Sequence, residues 1–101
     1  MIHEEIIKRD DGTQYKITVK ISLPFGRDAN FYHRIETRGK GKRKWESLPE
    51  PNFVRNTQGM THAEKVKMMD DFKRENELKY VTKEEIYTAK LSLWEQMKPE
   101  L

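Results

Sequence analysis

The chain contains no cysteine, which excludes a disulfide framework and any thiolate metal or redox site. No apolar run approaches the ~18 residues that a bilayer span needs. The opening Met-Ile-His-Glu-Glu lacks the basic and then apolar grammar of a secretion signal. A cytoplasmic protein with no membrane role is therefore expected. Apolar residues are scarce, at 35% of 101 positions. Soluble domains carry about 45–50% on a slightly wider count, so the core must be thin. Neither sign of charge dominates: 20 Lys+Arg against 17 Asp+Glu leave +3. A polyanion mimic and a strongly basic tail are both excluded. What is abundant is mixed charge, 37% of residues, in a chain long enough for one domain.

The hydrophobic period changes near residue 55. From Tyr15 to Leu23 the odd positions are Tyr15, Ile17, Val19, Ile21 and Leu23, and polar residues lie between them. Such alternation is the signature of a strand with one buried face. Ile2 to Arg9 reads as its hairpin partner. Asp11-Gly12 suits a two-residue turn whose central residues both take positive φ. That turn would set Ile6 opposite Ile17 and Ile2 opposite Ile21, placing these isoleucines on the buried face. It also sets Glu4 opposite Val19 and Ile7 opposite Lys16, misfits that suggest an edge or bulged strand.

Residues 23–30 contain Pro, Gly, Asp and Asn and end the second strand. Phe31 to Arg38 reads as a third strand, with Phe31, His33, Ile35 and Thr37 on one face and Tyr32, Arg34, Glu36 and Arg38 on the other. Gly39-Lys40-Gly41-Lys42 reads as a flexible tip. Arg43 to Leu48 reads as a short fourth strand anchored by Trp45 and stopped by Pro49 and Pro51.

After a linker at residues 49–60 the period becomes helical. Thr61-His62-Ala63-Glu64 and Thr82-Lys83-Glu84-Glu85 both match the capping box. They open helices from His62 to about Asn76 and from Thr82 to about Lys98. Ala63, Val66, Met68, Met69 and Phe72 give the first helix an apolar side, expected to pack in the core. The second has two stripes: Ile86, Ala89, Leu93 and Met97, then Tyr87, Leu91 and Trp94. Two stripes predict two packed neighbours, or a homodimer surface if one stripe stays open. The fold expected is a single α+β domain over 1–101. An antiparallel meander of three to four strands (1–48) is followed by two helices (61–98) packed on one sheet face.

The sheet half is the basic half. Residues 1–55 hold 12 Lys+Arg against 8 Asp+Glu; residues 56–101 hold 8 against 9. Lys40, Lys42, Arg43 and Lys44 crowd one tip beside Trp45. Lys16, Lys20, Arg34, Arg38 and Tyr32 are expected on the outward sheet face, with Glu5 and Glu36 blunting it. Closely spaced cations bind phosphates, glycines let the backbone approach, and Trp45 or Tyr32 stacks on a base. Two partners follow: a nucleic acid, DNA or RNA, or an acidic protein groove that receives the basic tip, as a small phage or mobile-element accessory protein would use it.

Three segments resemble the arm-binding domains of phage integrases: Asp11 to Ile17, Gly41 to Lys44, and Thr82 to Glu85. The family pattern is a three-stranded sheet plus a helix that places the sheet in DNA. The resemblance carries over no residue roles, and 38 residues separate Lys44 from Lys83.

Catalytic patterns are missing. Gly39-Lys40-Gly41-Lys42 lacks the phosphate-loop spacing, and no Gly-x-Ser-x-Gly occurs. His3, His33 and His62 have no ligand spacing for a metal. Asp10-Asp11, Asp70-Asp71 and Glu84-Glu85 suit a turn, a solvated helix face and a helix N-terminus. A non-enzymatic protein without cofactor or metal is expected.

Overall fold

The computed structural model describes residues 2–22, 30–49 and 57–97. The expected break at 23–29, most of the linker and the end of the last helix at Lys98 and Pro99 lie outside the described residues. The element order is β1 (Ile2–Lys8), β2 (Gln14–Ser22), β3 (Asn30–Arg38), β4 (Glu46–Ser47), α1 (His62–Glu77) and α2 (Lys83–Met97). The strands form one antiparallel sheet in the order β1-β2-β3-β4. The fold is α+β, as the two periods imply. Among the described residues no helix is long and apolar enough to cross a membrane.

The first hairpin differs from the sequence expectation by one residue. Arg9 N–H donates to Thr13 O at 2.8 Å, and Gly12 N–H donates to Arg9 O at 3.0 Å. Gly12 has φ +91°, and no described non-glycine residue has positive φ. Asp11 therefore cannot be the first centre of a two-residue type I′ turn. The loop holds three residues, Asp10-Asp11-Gly12, with the glycine at the left-handed position, a common hairpin alternative. The extra residue slides β1 so that Ile6 pairs with Lys16, Glu5 with Ile17 and Ile2 with Lys20. A one-residue slip exchanges the faces of a strand. Ile2 and Ile6 consequently point outward, 56% and 50% exposed. His3, Glu5 and Ile7 turn inward. The inward Glu5 is held by His3, Nε2 to Oε1, at 2.7 Å. The misfits Glu4–Val19 and Ile7–Lys16 disappear: Glu4 faces Thr18, and Ile7 faces Tyr15.

The β2–β3 register follows the expected alternation, with Ile17 opposite Ile35 and Ile21 opposite Phe31. Ile17, Val19 and Ile35 meet Ala89, Leu93 and Met97 of α2, with Val81 at its entrance, in one buried cluster. Each such side chain contributes roughly 1.5–3 kcal/mol. The thinnest dimension, 22 Å, is the depth of one sheet and one helix layer.

Both capping boxes form. Glu64 N–H donates to Thr61 Oγ1 at 3.2 Å, and Glu85 N–H to Thr82 Oγ1 at 3.1 Å. The apolar side of α1 is not core, contrary to its period: Val66 and Met69 are 46% and 41% exposed. Only Asn76 of α1 is buried. The helix meets the sheet face at its C-terminal turn, where Glu77 Oε2 lies 2.7 Å from His33 Nε2. Among the described residues the second stripe of α2 also lacks the neighbour expected for it. Tyr87 and Leu91 are 65% and 41% exposed, while Trp94 is half-buried. The methionines divide accordingly: Met97 is core, Met60 and Met68 are half-buried, and Met69 is exposed.

Candidate nucleic-acid interface

Alternation decides the outward face once the registers are known, because directly paired residues share a side. Lys20 pairs with Tyr32, Thr18 with Arg34, Lys16 with Glu36 and Gln14 with Arg38. Lys16, Lys20, Arg34, Arg38 and Tyr32 therefore stand on the expected face. The corrected register adds Lys8, opposite Gln14, and Glu4, opposite Thr18. Glu5 leaves for the inner side. Five cations, Lys8, Lys16, Lys20, Arg34 and Arg38, thus face outward with two carboxylates, Glu4 and Glu36. Lys8 is the cation that sequence reasoning missed. Recognising a three-residue loop at Asp10-Asp11-Gly12 would have found it.

The cations differ in freedom. Lys16 Nζ is 3.8 Å from Glu36 Oε1 and 4.9 Å from the Trp45 ring centroid. Arg38 lies over the same ring at 4.4 Å, and its Nε donates to Gln14 Oε1 at 2.8 Å. Arg34 approaches Glu36 Oε1 at 3.5 Å, yet its side chain is 69% exposed. Glu36 Oε1 accepts no hydrogen bond among the described residues. That oxygen is buried and serves Lys16 and Arg34 as a counter-charge without a hydrogen bond. Lys20 and Tyr32 are exposed.

The fourth strand is shorter than the expected Arg43 to Leu48, and Trp45 lies just outside it. Only Glu46–Ser47 pairs with β3, through Thr37 and Glu36. Trp45 lies two residues before Ser47, on the same outward side, and is half-buried against Arg38 and Lys16. Such contacts give each cation roughly 0.5–1 kcal/mol at exposed sites. They also occupy the ring, leaving Tyr32, at 58% exposure, as the open aromatic of the outward face among the described residues.

The tip is built from a turn in which Lys42 N–H donates to Gly39 O at 3.1 Å. Gly41 supplies the left-handed residue, φ +76°. Lys40, Lys42, Arg43 and Lys44 are all exposed. Among the described residues no carboxylate stands within ion-pair reach of any of them. The stem of Lys40 lies against Gly12, so the two hairpin tips sit side by side. Arg9, beside that tip, is half-buried and engaged within the chain. It holds Glu85 through two hydrogen bonds of 2.9 and 2.7 Å and donates to Tyr80 O at 2.9 Å. The bond from Arg9 holds the Glu85 carboxyl below its ordinary range, and Glu85 raises Arg9 in return.

The outcome is a cationic strip that runs from Lys20 and Tyr32 along the outward face to the four tip cations. Comparison with protein-family models, with curated proteins and with solved structures finds no significant match.

Proposed function

We propose that this chain is a small, non-enzymatic, cytoplasmic nucleic-acid-binding module. The observation that carries this reading is the continuity of Lys40, Lys42, Arg43 and Lys44 with the outward face of β2 and β3, with no carboxylate among the described residues paired to the tip. Phosphates are contacted by the tip and by Lys20, Arg34 and Lys8, while Tyr32 stacks on a base. Lys16, Arg38 and Trp45 form the scaffold that holds the strip together, and they supply field more than direct contacts. Glu36 positions Arg34 and Lys16. Neither a cofactor nor a metal enters this role.

Fluorescence anisotropy with random duplex and single-stranded oligonucleotides tests it. The four tip cations alone give a log–log salt slope of about −4 on duplex DNA, and contacts by Lys20, Arg34 and Lys8 as well steepen it to about −6. The variant K40A/K42A/R43A/K44A is expected to flatten that slope and lose most of the affinity. No binding at low salt, or binding unchanged in the quadruple variant, removes the reading.

A second reading is favoured by the occupied ring of Trp45. A partner that needs no base stacking, such as an acidic protein groove, uses the same free tip cations. A complex that survives nuclease treatment and still requires the tip cations selects this reading over the first.

A further inference from the structure

We infer that β1 is a self-pairing edge through which two copies of this chain join their sheets. β1 stands at the end of the strand order, with β2 as its one described neighbour. Arg9 and Thr13 form a hydrogen-bonded pair, so alternation makes Lys8, Ile6, Glu4 and Ile2 the non-bonded positions against β2. Their N–H and C=O groups therefore point at the open edge. The same residues carry the outward side chains, including Ile2 and Ile6, which are half exposed. An edge with unpaired backbone groups and apolar side chains is a template for another strand.

The identity of that strand follows from the order of charges. An antiparallel pair of identical strands has a two-fold axis, so each contact occurs twice. Centring the pair on Glu4 or on Glu5 sets carboxylates against each other across the axis. Centring it on Ile6 sets Ile6 against its own copy. That register also sets Glu4 opposite Lys8 of the second copy, on both sides of the axis. It uses the backbone groups that β2 leaves free, because Glu4, Ile6 and Lys8 all point outward. Opposite charges directly across a ladder stabilise it, and like charges destabilise it. Within each chain Glu4 faces Thr18 and Lys8 faces Gln14, so neither charge is matched across β1 and β2. The sheet so formed has eight strands, with both cationic faces on one side. This inference stands without the nucleic-acid reading, since it concerns the free protein.

Sedimentation velocity of the full chain over a concentration series tests it. A concentration-dependent dimer is expected. E4K alone, or K8E alone, should raise the dissociation constant about tenfold or more, and E4K/K8E should return it to within about threefold of the parent. Recovery in the double variant cannot arise from misfolding. Amide exchange supplies an independent measure: the N–H groups of Glu4, Ile6 and Lys8 should gain protection as concentration rises. A monomer at every concentration overturns the inference. So does a dimer that ignores both charge swaps and is lost on L91K, which would assign the contact to the open stripe of α2.

Discussion

Replacing Arg9 by Met and Glu85 by Gln, singly and together, measures the contact that ties the first hairpin to the second helix. Gln at the third helical position still serves a capping box, so E85Q removes charge while keeping the cap. Met keeps an apolar stem over Tyr15, whose ring centroid lies 5.5 Å from the guanidinium. R9M also deletes the bond to Tyr80 O. Hydrogen bonds to charged groups contribute about 1.5–3 kcal/mol, so R9M should cost about 2 kcal/mol. The ion pair itself contributes less, because the side chains of Arg9 and Glu85 remain 35% and 23% exposed. Water screens such pairs, and a coupling of about 1 kcal/mol is expected from the double-mutant cycle, the upper end for exposed pairs. In a domain of this size that is a shift of about 4–8 °C in Tm per kcal/mol. Urea unfolding of the four proteins at neutral and acid pH reads the coupling directly. The Glu85 carboxyl is held low in the folded state, chiefly by Arg9. Its stabilising contribution is therefore complete above the unfolded carboxyl value near ~4.3 and disappears as pH falls through the lower folded value. A coupling under about 0.2 kcal/mol at neutral pH, or one that persists after the carboxyl is protonated, would refute the latch.

Two further substitutions probe the turn and the core. Gly12→Ala forces positive φ on an alanine and puts its Cβ 2.8–2.9 Å from Lys40 carbons, whereas Gly41→Ala meets nothing within 4 Å. Both should lose about 1–2 kcal/mol to backbone strain, and Gly12→Ala should lose more in the same denaturant titration. Equal losses would deny the packing of the two tips. Leu93→Ala, at a position with 0% exposure, should cost about 2–5 kcal/mol by thermal unfolding, and a loss under about 1 kcal/mol would contradict its place at the core centre.

The central sheet was legible because β2 and β3 declare their faces by themselves. Ile17, Val19 and Ile35 alternate with Lys16, Thr18 and Arg34, and that alternation needs no knowledge of the loop between them. β1 carries apolar residues at both parities, Ile2 and Ile6 on one and Ile7 on the other, so its own pattern could not choose a face. The choice passed to the turn, and Asp-Gly fits two turns that differ by one residue. A glycine in the left-handed position is common to both; what separates them is the φ of Asp11, which a sequence does not display. The helices failed differently. Period predicts which residues share a side, and it did so for α1 and α2. It does not predict whether a partner covers that side, and Val66, Met69, Tyr87 and Leu91 remain open.

The candidate site divides along the same line. Placing Lys16, Lys20, Arg34, Arg38 and Tyr32 on one face required only parity, and the tip cations required only a run of basic residues between glycines. Their availability depends on neighbours distant in sequence. Trp45 reads as a stacking platform from its place beside four cations, but its ring meets Lys16 and Arg38 instead. Two cations and the indole are thereby spent on one another, while Lys40, Lys42, Arg43 and Lys44 are exposed and have no carboxylate within ion-pair reach among the described residues. Under the proposed role an anionic partner gains most at the tip, where no ion pair among the described residues must be broken. It gains least at Trp45, where stacking a base would first have to displace a guanidinium worth roughly 0.5–1 kcal/mol to the ring.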